Sequence, residues 1–135
     1  MSASPLTPAL AKSWRGQGTV LVVDDEFAVR HTVGRLVAHF GFQVREADSG
    51  PAALAYFLAG GEADLVLLDL SMPGTDGLVT VTELKKLVPA LRIVLFSGRS
   101  EDDAMPRFQH CGITRFLQKP FSLEMLRETL RSIFG

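Results

Sequence analysis

Two kinds of hydrophobic pattern alternate along this chain. Short continuous apolar runs stand at Thr19–Asp24 (TVLVVD), Asp64–Leu70 (DLVLLDL) and Arg92–Gly98 (RIVLFSG). Runs of this kind read as strands covered on both faces. Phe42–Ala47 (FQVREA) alternates instead, as a strand nearer a sheet edge does, and Thr114–Pro120 (TRFLQKP) reads as a short fifth strand. Helical periods fill the gaps. Phe27–Phe40 places Val29, Val33, Leu36, Val37 and Phe40 on one stripe, and Gly41 ends it. Ser49–Gly61 is a short helix with Pro51 in its first turn and two glycines at its end. Gly77–Pro89 is a helix stopped by its proline. Ser122–Phe134 is strongly amphipathic, with Ser122 placed to cap it and Glu124 in its first turn. Glu101–Gly112 is the poorest of the helical segments. Pro106 lies inside it, lacks an N–H and clashes with the preceding turn, so a short or mobile helix beginning only near Met105 is expected.

Five strands alternating with five helices imply a parallel sheet with helices on both faces, a doubly wound α/β fold. Right-handed crossovers leave few topologies. The 135 residues suit one domain. Residues 1–18, rich in Ser, Pro, Ala and Gly, lack the pattern and read as a flexible tail or linker, with residues 19–135 as the domain; Trp14 is the oddity of that tail. A formal net charge of −1 gives no bulk attraction to nucleic acid or to a membrane surface. The single cysteine, Cys111, excludes an internal disulfide and is read as a small buried residue; it fits a reducing cytoplasm. No apolar stretch is long enough to span a bilayer, and none follows a basic start as in a secretion signal, so a cytoplasmic protein is expected.

Polar chemistry gathers at the carboxyl ends of the strands, where open parallel sheets carry their sites. Asp24 and Asp25 end the first strand in VLVVDDE, and Asp69 ends the third. If those strands are neighbours, three carboxylates converge on one crevice and repel one another unless a cation sits among them. Small, hard oxygen ligands with room for water suit Mg²⁺. Ser97 ends the fourth strand and Lys119 the fifth. A hydroxyl and an ammonium beside a metal and a carboxylate make a cradle for a phosphoryl group. The chemistry inferred is a carboxylate nucleophile forming an aspartyl phosphate.

VVDDE, LLDLSMPGTDG, LFSG and FLQKPF, in this order and spacing, resemble the receiver domain of bacterial two-component response regulators, over about Val20 to Phe134. The resemblance implies a CheY-like, flavodoxin-like three-layer sandwich, (βα)5, with strand order 2-1-3-4-5. It implies that Asp69 is the phospho-acceptor and that Asp24, Asp25, Asp69 and the backbone carbonyl of Ser71 hold Mg²⁺, Asp24 partly through water. Ser97 would be the switch hydroxyl, Lys119 the partner of the phosphate and Phe116 the switch aromatic, with a cis bond between Lys119 and Pro120. The donor would be a phosphohistidine on a histidine kinase or histidine phosphotransfer protein. The output would be a shift of the face made by the fourth helix, fifth strand and fifth helix. Such a protein is a signalling switch rather than an enzyme, apart from self-catalysed phosphotransfer and autodephosphorylation. It is expected to be a monomer or weak homodimer that contacts neither nucleic acid nor membrane directly. SWRGQGTVLVVDDE with the later FLQKPF further resembles the C-terminal receiver of hybrid sensor histidine kinases.

Some positions depart from the family's common choices. Ser97 stands where threonine is frequent and Gly98 where alanine is. Arg99, like Ser71, flanks the path of the water that attacks an aspartyl phosphate, and is expected to alter the phosphoryl lifetime. The alternative is a phosphatase of the haloacid-dehalogenase type, which also forms an aspartyl phosphate. Its nucleophile usually sits in a DxD pair on the first strand, whereas here that strand carries DD and the third carries the better nucleophile. His31, His39 and His110 show no ligand spacing with one another, and Glu101–Asp103 reads as a solvated acidic helix start.

Overall fold

A computed structural model describes residues 15–72, 76–98, 105–113 and 115–135. Five strands form one parallel sheet in the order β2-β1-β3-β4-β5, with β1 at Thr19–Val23, β2 at Gln43–Ala47, β3 at Leu65–Asp69, β4 at Arg92–Ser97 and β5 at Arg115–Gln118. Among the described residues, α1 (Phe27–His39), α2 (Gly50–Leu58) and α3 (Gly77–Leu87) connect successive strands, and α4 (Leu123–Phe134) follows β5. This is the expected doubly wound, flavodoxin-like order.

Period-two alternation along the central strands builds two cores. Leu21, Val23, Val66, Leu68, Ile93 and Leu95 face one layer, packing with Ala53 of α2 and with Val81 and Leu84 of α3. Val20, Val22, Leu65, Leu67, Val94 and Phe96 face the other, with Val33 and Val37 of α1 and Leu126 and Leu130 of α4. Both faces of β1, β3 and β4 are therefore dry, which is why their sequences run apolar without interruption. Leu67→Ala, at a fully buried position, is expected to cost about 2–5 kcal/mol. Urea unfolding would read this as a lower midpoint at an unchanged slope.

Local chemistry fixes the helix ends, as anticipated at Pro51, Ser122 and Gly41 and, beyond that expectation, at Ser49 and Asp76. Ser49 Oγ accepts from Ala52 N, with Pro51 in the first turn of α2, and Ser122 Oγ accepts from Met125 N at the start of α4. Asp76 caps α3 by accepting from Leu78 N and Val79 N. Gly41 follows the α1 cap at φ +107°, a conformation open to glycine, and an added Cβ would lie 2.8 Å from Gly16 O. That neighbour belongs to the segment read as tail. Gly16 is buried against the Phe42 ring and its N–H donates to Phe40 O at 2.7 Å. The ordered domain thus reaches back before Thr19; Trp14 lies outside the described residues.

The fourth helical segment, expected to be short and to begin only near Met105, is short among the described residues but is 3-10 rather than α-helical. Its described part consists of two 3-10 turns, Met105–Arg107 and Gln109–Cys111, and 101–104 lies outside the described residues. Pro106 is the second residue of the first turn. Its missing N–H and fixed φ are tolerated in an opening turn and obstruct a continuing α-helix. The segment is anchored by Phe108 and Ile113, both buried in the core on the α2–α3 side.

Candidate functional site

Register assembles the site. In β1 and β3, Val23 pairs with Leu68, so Asp24 and Asp69, each the next residue, emerge side by side. Asp69 pairs with Phe96 on β4, which brings Ser97 to the same edge. Ser97 pairs with Gln118 on β5, and Lys119 N continues the ladder by donating to Ser97 O at 2.7 Å. One row of strand ends thus carries Asp24, Asp69, Ser97 and Lys119. The Lys119–Pro120 bond is cis.

Asp24 is fully buried, Asp69 is 2% exposed and Ser97 1%, while Asp25 opens to solvent. One carboxylate oxygen from each of Asp24, Asp25 and Asp69 lies within 4.8 Å of the others. The ammonium of Lys119 stands 3.4 Å from both Asp24 Oδ2 and Asp69 Oδ2, and 4.8 Å above the Phe96 ring. The remaining carboxylate oxygens are held by backbone. Asp24 Oδ1 accepts from Glu26 N and Asp69 Oδ1 from Ser71 N, each at 2.9 Å. Among the described residues, three carboxylates against one ammonium leave a local excess of negative charge. Its donors are all hard oxygens and one side is open to water, a set that fits a small divalent cation such as Mg²⁺. Ser71 Oγ lies 3.4 Å from Ser97 Oγ, so the two hydroxyls face each other next to the acidic pocket.

A family profile for the response regulator receiver domain matches residues 20–131. The chain belongs to that family. This receiver is 39% identical over 119 residues to the sensor kinase CckA of Brucella abortus, a match covering 87% of this chain and 13% of that protein. It is 27% identical over 112 residues to sporulation initiation phosphotransferase F of Bacillus subtilis, covering 83% of this chain and 90% of that one. Among solved structures, chemotaxis response regulator CheY4 of Vibrio cholerae superposes with a TM-score of 0.77 at 26% identity, covering 87% of this chain and 99% of that one. TrrA of Thermotoga maritima, solved in complex with Mg(2+)-BeF, gives 0.75 at 29% identity, covering 85% and 97%. The receiver spans only 13% of the sensor kinase and 22% of the transcriptional regulator NtrC of Azospirillum brasilense. It is a receiver domain of the two-component response regulator family, the class its motifs indicated.

The residues singled out from the sequence fall as follows. Asp24, Asp25, Asp69 and Lys119 converge, with Ser97 and Ser71 beside them. Phe116 is half-buried and packs against the α2–α3 core. Arg99 and Glu101–Asp103 lie outside the described residues. The three histidines are exposed and join no metal-holding group among the described residues; His31 instead stacks on Phe27 and lies 3.6 Å from Glu46. Cys111 is half-buried rather than buried, 3.6 Å from His110 Nε2. Arg30 escaped sequence reasoning. Its Nη1 donates to Asp24 O at 2.8 Å while its Nε pairs with Glu46 at 2.8 Å, so it ties α1 and β2 to the backbone of an acidic residue. The only trace in the sequence is its place one helical turn after Glu26.

Proposed function

We propose that Asp69 takes a phosphoryl group from a phosphohistidine on a histidine kinase or histidine phosphotransfer protein. An Asp69 carboxylate oxygen forms the O–P bond as the N–P bond breaks, and the imidazole keeps the bonding pair and takes a proton from solvent. The observation that carries this is the meeting of three carboxylates within 4.8 Å with the Lys119 ammonium 3.4 Å from two of them. Asp24, Asp25, Asp69 and the Ser71 carbonyl would hold Mg²⁺, which supplies charge neutralisation on the phosphoryl oxygens. The complex of the related TrrA with Mg(2+)-BeF supports that choice of ion. Lys119 orients and neutralises the phosphoryl group from the β5 side, and the Ser97 hydroxyl turns to bind it. The catalytic role is limited to this self-catalysed transfer and to autodephosphorylation, in which water attacks phosphorus, the Asp69 O–P bond breaks and inorganic phosphate leaves. Incubation with Mg²⁺ and acetyl phosphate followed by prompt intact mass tests the reading. A single phosphoryl adduct is expected, and none when a chelator is present.

The conformational output runs from Ser97 through Phe116 to the face made by residues 105–111, β5 and α4. Ser97→Ala is expected to keep the adduct yet lose most of the chemical-shift change that phosphorylation produces at the amides of β5 and α4. Equal changes in variant and wild type would remove Ser97 from the switch. Arg99→Ala should change the rate at which the adduct decays, and equal rates would remove that role. The chain acts as a monomer or weak homodimer in the cytoplasm without direct contact to nucleic acid; no helix among the described residues is long and apolar enough to cross a membrane. Residues 1–18 would serve as linker and 19–135 as receiver, with Arg15–Gly18 lying against the domain. Likeness to a sensor kinase at 39% identity supports a place in a hybrid kinase phosphorelay.

A further inference from the structure

The amino ends of the strands, opposite the acidic pocket, carry an arrangement of the reverse sign. An open cavity of about 320 Å³ lies there, lined by Lys85 of α3, Arg92 at the start of β4, Arg115 at the start of β5 and Ser132 of α4. Neutral acceptors orient each cation. Lys85 Nζ donates to Leu91 O at 2.7 Å, Arg92 Nη1 reaches Ile133 O at 3.4 Å, and Arg115 Nε donates to Ser132 Oγ at 3.1 Å. The Arg92 guanidinium is further held 5.3 Å above the Phe134 ring. Among the described residues no acid lines this cavity. Lys85 and Arg92 form no ion pair there, a state they share with the exposed Arg15, Arg35 and Arg45, whereas Arg30, Lys86, Arg107, Lys119, Arg127 and Arg131 are paired. Asp64 lines an adjoining hollow shared through Arg92, but its carboxylate accepts the Thr19 N–H at 2.8 Å. Leu91, Ile93 and Ile133 give the cavity an apolar wall.

We propose that this cavity is a binding site for a small phosphate-bearing ligand whose apolar or aromatic body lies against that wall. Lys85 and Arg92, preoriented by neutral partners, retain donors and charge for an oxyanion, and a guanidinium fork suits a phosphate in particular. These two cations on one small cavity repel each other, so a ligand with two negative charges relieves that repulsion. The volume is at the lower end for small-molecule sites and fits a mononucleotide better than a larger ligand. The site is separate from phosphoryl chemistry. Arg92 and Ser97 are opposite ends of β4, roughly 17 Å apart at the strand rise of about 3.3 Å per residue.

The test is calorimetric titration of the full chain, in magnesium-free buffer, with adenosine monophosphate and with inorganic pyrophosphate. Saturable one-to-one binding of both is expected, with the monophosphate bound at least as tightly because its base covers the apolar wall. Arg92→Gln and Lys85→Gln should each weaken it tenfold or more, while Arg35→Gln on α1 leaves it unchanged. Circular dichroism checks that the variants stay folded. Absence of saturable binding, binding unchanged in Arg92→Gln and Lys85→Gln, or equal loss in Arg35→Gln would each overturn the proposal. Binding of a phosphopeptide with neither small ligand bound would overturn it as well.

Discussion

Asp69→Asn is expected to gain no phosphoryl adduct under conditions in which the wild type gains one. The amide is close to isosteric with the carboxylate, so its oxygen can still accept from Ser71 N and the turn after β3 is kept. What disappears is the anionic nucleophile. The same substitution removes one negative charge from a pocket where Asp24 and Asp25 outnumber the Lys119 ammonium. Without Mg²⁺ the variant should therefore be more stable than the wild type, by about 1 kcal/mol. Intact mass reads the first effect and urea unfolding the second. An adduct retained by a folded Asp69→Asn protein would place the acceptor on another residue. Lower stability would mean that Asp69 is held by attraction to Lys119 more than it is repelled by its neighbours.

Lys119→Met gives the second large effect, with two parts of different origin. Among the described residues, the ammonium is the one cation within 4 Å of the carboxylates of Asp24, which is fully buried, and Asp69, which is 2% exposed. Removing it leaves two buried carboxylates in mutual repulsion. Breaking a buried pair in this way costs roughly 3 kcal/mol, toward the lower end of the usual range because Asp25 admits water. Added Mg²⁺ should restore much of that loss, since it supplies positive charge to the same oxygens. Catalysis should not recover with it. A donor aimed at the developing phosphoryl charge commonly contributes about a hundredfold in rate, so the adduct should form about that much more slowly at saturating Mg²⁺. Thermal unfolding with and without Mg²⁺, beside a time course of intact mass, separates the two parts. A variant as stable as the wild type without Mg²⁺ would show that the ammonium is not what balances the pocket.

The comparison of sequence with structure turns on the distance over which each feature is encoded. β1, β3 and β4 were legible because strands dry on both faces must be apolar at every position. Ser122 was legible as a cap because a cap is decided within four residues. The segment around Pro106 was read as weak, correctly as to cause. Only the folded chain chose 3-10 turns, because Phe108 and Ile113 have to reach the core on either side of a short path. Gly16 looked like linker, since nothing near it in sequence reveals that Phe40 O and the Phe42 ring wait for it.

The sequence by itself determined the strands and the four α-helices, the apolar stripes and the acids and lysine standing at strand ends, because these follow from period and from neighbours a few residues away. The tertiary structure alone decided that Val23 pairs with Leu68 and Ser97 with Gln118. It also decided that Arg30 braces Asp24 and that Lys85, Arg92 and Arg115 share one cavity. Lys119 lies 95 residues from the Asp24 it faces. No local propensity spans that separation. Strand register and the packing of both sheet faces do, because a slip of one residue would turn every buried side chain to the opposite layer.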